Sequence, residues 1–143
     1  MTVARILDAK GRAVVTAEPT ISMHAVARML AQHRIGAVVI VGPGQSVAGI
    51  LSERDIVRAV SERGTAALDD PVAAHMTKRV ITCLGSTPIR EVMSIMTTGK
   101  FRHIPVVRDG RLDGMISIGD VVKQRLAELE HESQTLREYI TAS

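Results

Sequence analysis

GILSERDIV at residues 49–57 and GMISIGDVV at residues 114–122 carry the same punctuation: a Gly, a Ser three residues on, and an Asp three residues after that. Each reads as an apolar strand running into a helix, with Ser52 and Asp55 answered by Ser117 and Asp120. The repetition extends outward. VVTAEPTISMHAVARMLAQHRIGAVVIV (14–41) lies over VITCLGSTPIREVMSIMTTGKFRHIPVV (80–107) without a gap, matching Val14 with Val80, Thr16 with Thr82, Val26 with Val92 and Val41 with Val107. After a one-residue shortening of the next loop, Gly49, Ser52, Asp55 and Val57 match Gly114, Ser117, Asp120 and Val122. A repeat of this kind decides the fold before any single element does.

Within the unit, AVVT (13–16) predicts a short strand and the Ser/Thr/Pro cluster after it a helix start. Met23, Val26, Ala27 and Leu30, with Val92, Met93, Ile95 and Met96 in the second copy, have the three-to-four spacing of an amphipathic helix. The β-branched runs Ala37–Val41 and Ile104–Val107 then read as buried strands, each turning through GPGQ or RDGR into a hairpin partner. The expected class is α/β (α+β): two β-α-β-β-α units packed sheet to sheet about a pseudo-two-fold axis, plus a C-terminal helix. The expected division is 1–66 for the first unit with its lead-in helix, 67–126 for the second, and 127–143 for a helical tail. Met1–Lys10 and Pro71–Met76 read as the lead-in helices, one per copy. A unit this small buries too little apolar surface to stand alone, so the halves are expected to fold together.

Composition narrows the function. The chain has 143 residues, a net charge of +3 and 45% apolar content, enough for a real core. With one Phe, one Tyr and no Trp there is almost nothing for bases to stack on, which argues against a nucleic-acid partner. No apolar run approaches the length of a membrane span and none resembles a signal peptide, so a cytoplasmic location is the default expectation. The lone Cys83 reads as a buried small hydrophobe. Five scattered histidines lack ligand spacing, and Glu53 has no second acid or nucleophile beside it, so neither a metal site nor an enzyme is expected.

The Ser-x-x-Asp pairs admit two readings. One is a capping box, which satisfies free N–H groups of the first helical turn. Asp, however, is shorter than the usual Glu or Gln partner, and it stands in both copies. The other reading uses the helix N-terminus, which favours an anion, and an adjacent carboxylate, which accepts from two neighbouring hydroxyls such as those of a ribose. Together these describe a nucleotide site.

These residues resemble the Gly-x-x-Ser/Thr-x-x-Asp signature of CBS domains, named after cystathionine β-synthase, and KFRHIPVVRDGRLDGMIS (100–117) is similar to their central hairpin. The resemblance covers roughly residues 3–126 and implies a stand-alone CBS pair. It implies a regulatory module that binds AMP, ATP, NAD or S-adenosylmethionine between the repeats, has no catalytic cofactor, forms a homodimer and signals to an effector protein. It also implies a first cleft in which Asp55 takes the ribose and Ser52 with Arg54 the phosphate, opposite Thr77, Lys78, Phe101, Arg102, His103 and Ile104. The second cleft would pair Ser117 and Asp120 with Arg12, Ile35, Gly36, Ala37 and Val38. Adenine would lie against Ile104 or Ile35. The first cleft is expected to hold phosphate better, because Gly119 stands where the first copy has Arg54, and Gly36 and Ala37 where the second has Arg102 and His103. The alternative is a structural or adaptor dimer with vestigial clefts. Beyond the units, Val122, Leu126, Leu129, Ser133, Leu136 and Ile140 follow a heptad spacing, which predicts an interaction helix.

Overall fold

The computed structural model describes residues 1–142. The first unit holds β1 (Thr16–Ala17), α2 (Met23–His33), β2 (Ala37–Val41), β3 (Val47–Ser52) and α3 (Glu53–Arg63), following a lead-in helix α1 (Val3–Lys10). The second holds α4 (Ile89–Gly99), β4 (His103–Arg108), β5 (Arg111–Ser117) and α5 (Ile118–Ala142). In the first sheet, β1 runs parallel to β2 and β2 antiparallel to β3. β4 and β5 form an antiparallel hairpin whose turn, Asp109–Gly110, has positive φ at both residues, the conformation that matches strand twist. The second copy's counterpart of the AVVT strand contracts to one parallel bridge, Cys83 to Val106, equivalent to the Ala17–Ile40 pair of the first copy. Both copies carry a bulge at the same place, Ile40/Val41 and Val106/Val107.

The repeat also fixes the helix ends. Ser22 accepts from the Ala25 N–H to cap α2, and the helices α2 and α4 end on the equivalent left-handed residues Arg34 and Lys100. Apolar faces of α2 (Met23, Val26, Leu30) and α4 (Ile89, Val92, Met96) close over their sheets, giving one core per unit.

The lead-in segments are exchanged between the units. Val3, Ile6 and Leu7 of α1 belong to the core around α4 and β5, while Ala67 and Val72 belong to the core around α2 and β3. The two glycines of the repeated signature make the exchange possible. A methyl on Gly114 would lie 2.8 Å from both δ-methyls of Leu7, and one on Gly49 would lie 2.6 Å from Met76 Sδ and 2.9 Å from the Thr77 carbonyl. Backbone bonds hold the crossed segments: the Val3 N–H donates to Thr87 O at 3.0 Å, and Ile50 and Thr77 exchange bonds of 3.0 and 2.9 Å. Residues 1–10 and 67–76 therefore complete the unit opposite to the one that sequence adjacency suggests. The second lead-in is a single 3₁₀ turn, Val72–Ala74, in place of the expected helix, because the chain must straighten by Thr77 to pair with β3.

Candidate functional site

The sequence places Ser52 at the end of β3 and Asp55 in the first turn of α3, so the strand's carboxyl end delivers both to the helix N-terminus. The Ser52 N–H donates to Asp55 Oδ2 at 2.8 Å, and the Asp55 N–H donates to Ser52 Oγ at 3.4 Å. Asp reaches the cap despite its length, so the capping box is made and a short side chain at this position does not exclude it. Ser117 and Asp120 repeat it, with the Ser117 N–H 2.8 Å from Asp120 Oδ2 and the Asp120 N–H 3.1 Å from Ser117 Oγ.

The cap leaves Asp55 Oδ1 on the other side. Asp55 is 4% exposed; Arg58 donates to Oδ1 at 2.6 Å, and Thr77 approaches it at 3.5 Å. Around this carboxylate opens a cavity of about 560 Å³ between the two units. Its first-unit wall includes Gly36, Ala37, Ser52, Arg54 and Asp55, and its second-unit wall Phe101, Arg102, His103 and Ser117, with Thr77 from the segment between them. Expected residues of both clefts thus line one space. Gly36 brings the walls together: a methyl there would sit 3.3 Å from His103 Cε1.

Six expected residues lie outside this cavity. Ile104 and Val38 point the other way on their strands and are fully buried in the two cores, as the two-residue period of a strand requires. Ile35 packs against the first core. Lys78 gives way to its neighbour Arg79, which lines the cavity with Val80 and Ile81. Arg12 turns away to Asp8 (2.8 Å) and Asp113 (3.6 Å). Asp120 is held by Lys10 of α1, whose Nζ is 2.7 Å from Oδ2. Burial alone would raise the Asp120 carboxyl, but Lys10 and the two Ser117 hydrogen bonds together bring it below its ordinary value.

Sequence reasoning missed Arg58, Arg79, Val80, Ile81 and Ile50. Arg58 was findable, since three residues after Asp55 is the same helix face. The apolar residues carry no such signal. The resulting cavity has an apolar stretch (Ile50, Val80, Ile81, Phe101) beside a cationic one (Arg54, Arg79, Lys100, Arg102). Among the described residues, none of those four cations makes an ion pair. Burial pushes the His103 imidazole below its ordinary value; Asp120 and Glu53 oppose this, and Lys10 and Arg102 add to it.

The sequence model of the CBS domain matches residues 8–62 and again 72–127. The chain is a CBS-domain pair. A crystal structure of a CBS-domain containing protein from Agrobacterium tumefaciens is 48% identical, covers 87% of this chain and 99% of that one, and superposes with a TM-score of 0.84. A CBS domain protein from Pyrobaculum aerophilum complexed with AMP is 30% identical, covers 93% and 99%, and has a TM-score of 0.79. A mitochondrial CBS domain-containing protein of Arabidopsis thaliana is 39% identical over 79% of this chain. The chain spans 57% of that plant relative's length. Among the described residues, no helix of this CBS pair is long and apolar enough to cross a membrane.

Proposed function

We propose that this CBS pair is a regulatory module, without catalysis of its own, that takes an adenosine-containing nucleotide between its units and passes the occupancy to an effector protein. The observation that carries the reading is the shared cavity, where four cations free of ion pairs border an apolar wall at a helix N-terminus. In this reading Val80, Ile81 and Phe101 face the base, and Arg54, Arg79, Lys100 and Arg102 face phosphate. Asp55 Oδ1 accepts from the ribose hydroxyls. Arg58, which holds that oxygen in the free protein, exchanges it for phosphate, so one salt bridge is replaced by another.

The cation cluster favours AMP, ATP or NAD over S-adenosylmethionine, whose sulfonium is positive. The AMP bound to the Pyrobaculum relative supports the same class of ligand. Each signature carboxylate carries a salt bridge in the free protein, Asp55 to Arg58 and Asp120 to Lys10, so the reading of unequal ends with the tighter one at Asp55 rests on Arg54, which Gly119 replaces at the second signature. The test is heat denaturation and calorimetry with AMP, ATP, NAD and S-adenosylmethionine, because a ligand that binds only the folded state raises its stability. The expected result is one tight site per chain for an anionic nucleotide. Absence of any shift across the four would leave the second reading, an adaptor dimer with vestigial clefts.

A further inference from the structure

Neither the two cores nor the cavity uses the far part of α5. From Glu130 to Ala142 every described residue is exposed, and the helix is continuous from Ile118. Near its start, Val121, Gln124 and Glu128 are the less exposed positions, turned toward the body. At about 100° per residue, the stripe through Val122, Leu126, Leu129, Ser133 and Leu136 lies roughly 120° around the helix from that side. The stripe's apolar members are 45% to 59% exposed. A solvated helix of this kind needs a partner for its apolar face.

We propose that α5 pairs, parallel and in register, with α5 of a second copy of this chain. Leu126, Ser133 and Ile140 then fall at the a positions of the heptad, and Val122, Leu129 and Leu136 at d, with Leu at d suiting two strands. The flanking charges choose the partner. In a parallel pair each g residue meets the e residue five places later on the other helix. Here those contacts are Arg125 with Glu130 of the second copy and Glu132 with Arg137 of the second copy, both opposite in sign. Residues five apart do not face each other within one helix. Among the described residues, Glu130, Glu132 and Arg137 make no ion pair within the chain, and Arg125 reaches Glu128 at 3.2 Å on its exposed side.

The antiparallel arrangement of the same stripe is worse. Full overlap sets Glu130 against Glu130, Glu132 against Glu132 and Lys123 against Arg137, all like charges. Sliding it by one heptad restores attraction but leaves Leu136 opposite Gly119, at the body of the second copy. The pairing proposed does not depend on the nucleotide reading.

Cross-linking tests it on the full chain. Ser133→Cys places a thiol at an a position, where two copies meet across a parallel seam, and His131→Cys places one on the outer face. Cys83 does not compete, since it is buried and its thiol is pushed up to about 11 by desolvation, with Glu91 adding to it. Mild oxidation should convert most of the Ser133→Cys chain to covalent dimer and little of the His131→Cys chain. Light scattering should give twice the chain mass for the intact protein and a weaker association after truncation beyond Ala127. Equal cross-linking at both positions, none at Ser133→Cys, or a truncated chain with unchanged concentration dependence would overturn the proposal.

Discussion

The exchange of lead-in segments makes Gly114→Ala a sharp probe of the fold. Gly114 does not need a positive φ, so alanine suits its backbone and, by restricting the unfolded chain, would on its own stabilise by about 0.4–1 kcal/mol. The new methyl, however, meets both Leu7 δ-methyls at 2.8 Å and Leu7 Cγ at 3.4 Å. Leu7 is fully buried in one core with Val3, Ile6 and Ile116, so any shift it makes is into packed neighbours. Overpacking of this kind costs about 1–3 kcal/mol. Leu7→Ala alone should cost about 2–5 kcal/mol, the range for a core leucine that leaves a cavity. In the double variant the methyl at 114 enters space that Leu7 has vacated, so the penalty of the first change should vanish. The expected coupling is therefore about 1–3 kcal/mol, the overpacking penalty relieved, within what contacting residues show. Equilibrium unfolding in urea of the four proteins of the cycle, read by linear extrapolation, measures it. Additivity within about 0.5 kcal/mol would refute the placement of α1 against the second unit.

Gly49→Ala should be costlier, about 3 kcal/mol or more, because the Thr77 carbonyl at 2.9 Å is backbone and cannot swing aside; the same urea experiment reads it. Arg102→Ala, at an exposed residue, should weaken binding of a phosphorylated nucleotide by roughly 13- to 150-fold, the equivalent of about 1.5–3 kcal/mol for a charge-assisted bond, while the unfolding midpoint of the free protein stays put. His103 starts below its ordinary value, and a phosphate would raise it, so binding takes up a proton. Affinity should therefore be greatest at low pH, fall as pH rises through the free and then the bound imidazole values, and level off above; comparison with His103→Gln by calorimetry from pH 5.5 to 8 removes the ligand's own titration. Asp120 is depressed in the folded state, so its contribution is present above the unfolded carboxyl value and is lost as pH falls through the folded one. Lys10→Met should cost under about 1 kcal/mol at pH 7, a deficit relative to the parent that fades in acid-unfolding curves as pH falls through the lowered Asp120 value of the folded protein.

The parts of the fold legible in the sequence were those written twice. The unit order, the hairpins and the helix starts at Ser52 and Ser117 come from patterns that sequence neighbours create, and these local signals survive folding. The partnership of α1 with β5 was not legible, since an amphipathic segment such as VARILDAK states that it buries a face but not against which sheet. The site divides along the same line. Ser52 and Asp55, marked by the chemistry of a helix N-terminus, and Arg54, marked by the CBS resemblance, line the cavity. The apolar wall of the cavity was not legible: Ile104 and Val38 sit on the core side of their strands, and Val80 and Ile81 enter from a distant segment with no regular structure. Lys10, the last residue of α1, reaches Asp120, whereas Arg12 lies past Gly11, whose positive φ ends the helix, and pairs with Asp8 and Asp113.

Because Gly114 admits α1, which comes from ahead of the first half, and Gly49 admits the stretch that leads into the second, the two repeats close over one another like clasped hands. A scanning calorimeter should count one melting unit where the sequence counts two, with equal van't Hoff and calorimetric enthalpies. Severing the chain near residue 66 would then yield two fragments that each lack a wall of their own core, and that recover structure only when mixed.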